Sequence, residues 1–216
     1  MKSFESWTFE DVQNTFGITR SFKDSSVYWV TPQKQPNQRE KETIEILKIL
    51  LRKYVDTWNE DEIKFHFIGP FLSLINFTTD NYKSFTQRTL HLKTEKVETS
   101  GRVDMMVCTG IQKPQHPFFF FNEYKPSKRG INDPLGQLLI EMITGLYLNE
   151  NKFPMYGAYT EGRFWYFVVL DKSEYIISHA FDASEDEIYE IYSVLCNVKD
   201  YIEGILATIN LKPEVK

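Results

Sequence analysis

Two short segments hold residues whose types and spacing point to chemistry. In "PFFFFNEYKPSKRG", residues 117–130, four phenylalanines run into Asn122, Glu123, Tyr124 and Lys125. Residues two apart in a strand point to the same side, so Glu123 and Lys125 emerge together, on the face that alternation also assigns to Phe119 and Phe121. In "GRVDMMV", residues 101–107, Asp104 interrupts a second apolar run, where an unpaired charge is costly. If these strands are neighbours, Asp104, Glu123 and Lys125 converge at the end of a hydrophobic sheet. Two carboxylates and a lysine so gathered can hold a hard divalent cation such as Mg²⁺, which takes oxygen ligands and retains water able to attack a phosphate. Lys125 can then orient that water, help deprotonate it if its pKa is depressed, or stabilise charge on phosphoryl oxygens. The plainer alternative is an ordinary Glu123–Lys125 ion pair, with Asp104 capping a turn or meeting Arg102.

The surrounding pattern supplies elements to position these side chains. Thr8 is an N-cap ahead of Phe9, Val12 and Phe16, and "SVYWV", residues 26–30, has the composition of a strand. "TPQKQPNQ" breaks the pattern with two prolines, which sets residues 1–37 apart as an N-terminal extension and 38–216 as the main domain. From Arg39 to about Thr57, Ile44, Leu47, Leu51 and Tyr54 recur at helical spacing. A second helix is expected after the cap Asn59, with a kink at Pro70. "FTQRTLHLKTEKVE", "GRVDMMVCTG" and "HPFFFFNEYK" then read as three successive strands. Asp133 caps a helix with Pro134 in its first turn, three further strands lie within residues 155–181, and an acidic helix runs from about Ser184 past Ile205. The order predicts an α/β or α+β fold, a central mixed sheet flanked by helices.

This arrangement resembles the PD-(D/E)XK nuclease superfamily, whose core orders a helix, a β-meander carrying Asp and then (Glu/Asp)-x-Lys, a helix and a further strand. The likeness spans roughly residues 40–180, rests on Asp104, on Glu123-Tyr124-Lys125 and on Gln137 in "DPLGQLLIEM", and extends to nuclease domains of type I restriction enzymes. Val103 stands where the motif's proline would be. The resemblance implies a restriction endonuclease-like core and Mg²⁺ (or Mn²⁺) held by Asp104, Glu123 and the Tyr124 carbonyl. It also implies a catalytic Lys125, a supporting Gln137, and a metal-site glutamate on the preceding helix, for which Glu62 is the choice and Glu42 the rival. DNA is the implied substrate, in a restriction or defence role, and a homodimer is implied for cutting both strands. The competing reading keeps the fold as a binding or scaffold module without catalysis.

Lys128 and Arg129 follow the motif directly, and with Arg102 they can contact a phosphate backbone. The net charge of −5 argues against a nucleic-acid packaging protein but leaves room for a local basic groove. Cys108 and Cys196 form no CxxC pair, and His66, His91, His116 and His179 have no metal-binding spacing. Nucleotide-binding glycine loops and a GxSxG elbow are missing. The aromatic hairpin containing Tyr156, Tyr159, Phe164, Trp165, Tyr166 and Phe167 can stack bases but reads first as sheet core. With no apolar leader pattern and no membrane-length span, the protein is expected to be cytoplasmic.

Overall fold

A computed structural model describes residues 2–24, 30–95, 97–126 and 133–210. Among these, a nine-stranded mixed sheet carries helices on both faces, a mixed α/β architecture. The expected strand at "SVYWV" and the residues Lys128 and Arg129 lie outside the described residues, apart from Val30.

One side of the sheet is a meander of β3 (Lys83–Lys93), β4 (Glu98–Thr109) and β5 (Gln115–Lys125), all antiparallel, with β3 at its edge. Helix α5 (Pro134–Leu148) crosses over to β6 (Met155–Glu161), which lies parallel to β5. β7 (Phe164–Asp171) and β8 (Glu174–Ile177) continue the sheet antiparallel, and β9 (Phe181–Asp182) pairs with β7. The stretch set apart as an extension is knitted into both ends. β1 (Lys2–Ser3) runs parallel to β4 and β2 (Thr19–Arg20) parallel to β8, while α1 (Phe9–Phe16) packs on α5.

One face of the sheet is covered by α1 and α5, with Val12, Leu138 and Met142 against Val103 and Phe121. The other is covered by α2 (Gln38–Tyr54), α4 (Gly69–Ile75) and α6 (Ile188–Asn210), with Leu47, Phe71 and Leu195 in the same core as Phe120 and Tyr124. The caps form as the sequence predicts: Thr8 and Asn59 each close a capping box, and the Asp133 side chain accepts from the Gly136 amide. The β6–β7 aromatics are core, with Tyr156, Tyr159, Trp165 and Phe167 buried.

Two departures from simple periodicity matter for the site. The first is a β-bulge: Val107 pairs with Phe120 but Cys108 pairs with Phe118, so Phe119 is an extra residue. Phe119 therefore joins Phe120 in the core on the Tyr124 side, opposite Phe121, which corrects the expectation that Phe119 shares a face with Glu123 and Lys125. The buried Asn149 amide holds the bulge, accepting from the Phe118 amide at 2.8 Å and donating to its carbonyl at 2.6 Å. The second lies before Pro70. Helix α3 (Glu60–Ile63) widens into a π-helical turn over Lys64–Ile68, where the Gly69 amide reaches back to the Lys64 carbonyl. Proline lacks an N–H and its ring crowds the preceding turn, so the extra residue there accommodates it and re-aims Lys64 and Phe65.

Candidate functional site

β4 and β5 are neighbours, and a cavity of about 940 Å³ opens where they meet α3, the π turn and α5. Asp104, Glu123, Tyr124, Lys125 and Gln137 line it together with Glu60, Lys64, Phe65, Gln87 and the exposed Arg102.

Asp104 is fixed from three sides. Its Oδ1 accepts from Lys64 Nζ and from Gln87 Nε2, both at 2.7 Å, and its Oδ2 accepts the Tyr124 backbone amide at 3.0 Å. The last contact falls just past Met105↔Asn122, the final β4–β5 pair on this side, so a carboxylate takes over where the ladder stops. Gln87 stands opposite Asp104 in the β3–β4 register, and its left-handed backbone, φ 55°, leaves that one pair out of the ladder between Thr86 and Arg88. A non-glycine residue in that region is strained, and here the strain accompanies a contact to a candidate site acid.

Glu123 is 1% exposed. Lys125 Nζ lies 2.5 Å from its Oε1, an ion pair poorly aligned as a hydrogen bond, and Oε2 has no partner. Burial, then repulsion from Asp104, push the Glu123 carboxyl up to about 8, although Lys125 pulls the other way. Burial alone would lower Lys125, but the charge and contact of Glu123 outweigh it and raise the ammonium above its ordinary value. Lys125 is thus a persistent cation, ill suited to take a proton from water. Lys64 is likewise raised, its burial overcome by Asp104 and Glu60; Glu60 Oε1 lies 2.5 Å from Lys64 Nζ.

Gln137, on α5, donates to Glu141 at 3.4 Å, and its Oε1 has no hydrogen-bond partner. Glu141, which the sequence reading passed over, is fully buried. Burial first, then the charges of Glu123 and Asp104, push its carboxyl well above the ordinary range, and its Oε2 is unpartnered. The signal was present in the sequence: α5 is apolar on nearly every side, so its one acid had to be buried. Glu60 was also passed over, and its i,i+4 spacing to Lys64 was the available sign.

Glu62 is exposed, its carboxylate accepting the Asn59 amide in the capping box of α3, and it is not among the residues lining the cavity. Glu42 is exposed on α2 and accepts from Gln38. The acids of α3 that line the cavity are Glu60 and Asp61.

Orphaned oxygens on Glu123, Gln137 and Glu141, buried together, suit a cation or bound polar group. Among the described residues no group of three or more His, Cys, Asp or Glu gathers into a metal cage. Mg²⁺ is commonly bound through only one or two protein carboxylates, with water and substrate phosphate filling the remaining positions. No protein-family model matches the chain, and no curated protein matches it significantly in sequence. No helix among the described residues is long and apolar enough to cross a membrane.

Proposed function

We propose that the protein is a metal-dependent phosphodiesterase with a restriction endonuclease-like core of the PD-(D/E)XK kind, acting on nucleic acid, with DNA the favoured substrate. The observation that carries this reading is that Asp104, Glu123, Lys125 and Gln137, from β4, β5 and α5, line one cavity in which the Glu123 carboxylate is buried and incompletely partnered. Asp104 and Glu123 would hold Mg²⁺ or Mn²⁺, with the Tyr124 carbonyl as a further oxygen. When bound, such a cation supplies an activated water and neutralises charge on the phosphate.

The chain's own groups do the rest. Lys125, kept charged by Glu123, stabilises negative charge developing on the phosphoryl oxygens. Gln137 and Glu141, hydrogen-bonded to each other, form a polar floor on the Glu123 side of the site. Arg102 offers a cation at the rim for the phosphate backbone, with Lys128 and Arg129 following the motif in sequence. A homodimer would let two such sites cut both strands, and action on DNA would be in the cytoplasm.

A binding or scaffold role without catalysis is favoured by one observation: Lys64 against Asp104 at 2.7 Å and Lys125 against Glu123 at 2.5 Å already pair the charges of the site. Incubating the protein with plasmid, single-stranded DNA and RNA, with Mg²⁺ or Mn²⁺ and with chelator, separates the two. Cleavage of at least one substrate, abolished by chelator, is expected; intact substrates under every condition would leave the scaffold reading.

A further inference from the structure

Phe65 is 77% exposed, yet it stands at the edge of the ionic cavity and contributes to its lining. The π turn puts it there, one residue after Lys64, whose ammonium contacts Asp104 inside the same cavity. Its ring meets His66 edge-on at 5.1 Å. His66 stacks on Trp58 at 5.4 Å, and Trp58 on Tyr54 at 5.7 Å. Trp58 is stacked between Tyr54 and His66, whereas the Phe65 ring meets His66 edge-on and remains turned to solvent. An exposed, buttressed aromatic ring beside a cation and two carboxylates has the two halves of a nucleotide site, a flat apolar surface and a phosphate-binding cavity.

We propose that Phe65 is a base-stacking subsite for single-stranded nucleic acid, taking an unpaired base next to the phosphate that enters the cavity. The inference rests on the phosphodiesterase reading for its ligand. Bases inside a duplex already stack on their neighbours, so a single protruding ring can engage only a base freed from the stack. The contact is sequence-tolerant, because every base offers a π face. Glu60 is already paired with Lys64, which limits its repulsion of a strand, while Asp61 and Glu5 on the same lining leave the stacking contact to supply the binding.

The test is fluorescence anisotropy of an end-labelled oligo(dT) strand and of a duplex of the same length, in chelator, with wild type, Phe65→Ala and Phe65→Trp. Wild type is expected to prefer the single strand. Phe65→Ala should weaken single-strand binding roughly 5- to 150-fold, the effect of losing one base–aromatic stack, with duplex binding unchanged and Phe65→Trp restoring affinity. Equal single-strand binding by Phe65→Ala and wild type, or no single-strand binding by wild type, overturns the subsite. Cleavage distinguishes the two proposals: metal-dependent cleavage by a protein whose Phe65→Ala variant binds normally removes the subsite alone. Phe65-dependent binding without any cleavage keeps the subsite and removes the catalytic role.

Discussion

The Asp104 carboxylate and the Tyr124 amide, 3.0 Å apart, join the two central strands by a side chain at the point where their backbone pairing ends. That single contact sets the position of both halves of the motif. It anchors Asp104 through one oxygen while Lys64 and Gln87 hold the other, and it fixes the backbone between Glu123 and Lys125.

Asp104→Ala should therefore cost stability as well as activity. The buried Tyr124 amide loses its acceptor, a loss of about 1–3 kcal/mol for an unmet buried donor, while exposed Gln87 can turn to water and Lys64 keeps Glu60. Urea unfolding, comparing midpoint and slope with wild type, measures it.

The buried Glu123 carboxyl makes metal-free stability fall with pH. In the unfolded chain it ionises near 4.5, whereas in the folded protein it stays protonated until about 8. Between those values the folded state holds the extra proton, so stability declines as pH rises through the window, and this group's contribution levels off above it. Unfolding free energies across that range should show the decline, and Glu123→Gln should make it shallower, leaving the share of the buried Glu141, whose carboxyl is also raised.

Divalent cations should reverse that penalty. Mg²⁺ or Mn²⁺ should raise the Tm of wild type in a concentration-dependent way, as any ligand selective for the folded state does. Glu123→Gln should remove most of the shift, whereas Glu62→Gln, in the exposed capping box, should leave it unchanged; differential scanning fluorimetry reads both.

Much of this site was legible because acids stand out inside apolar strands. Asp104 and Glu123 each interrupt a run that otherwise reads as sheet core, and the caps at Thr8, Asn59 and Asp133 punctuate the helices as their chemistry requires. Four consecutive phenylalanines, by contrast, contain no polar residue to mark phase, so the bulge at Phe119 and the face it occupies were invisible. Lys64 reaches Asp104 from a π turn, and Gln87 from a left-handed residue opposite it across the β3–β4 register; neither the π turn nor the left-handed backbone leaves a periodic trace.

The N-terminal stretch should prove integral to stability. A Cβ at Gly136 would lie 2.4 Å from the Trp7 carbonyl oxygen and 2.5 Å from the Phe9 amide nitrogen, so backbone would have to shift to admit it. Gly136→Ala should lower stability by about 1–3 kcal/mol through this overpacking, measured by urea unfolding.

The central claim meets its most direct test in the single-turnover rate of Mg²⁺-dependent phosphodiester cleavage by Lys125→Ala, on whichever nucleic acid the wild type cuts. Loss of a preorganised cation at the reacting phosphate predicts a fall of about 100-fold or more, with the metal-induced Tm shift retained. Cleavage by Lys125→Ala at the wild-type rate would contradict the assignment of this site.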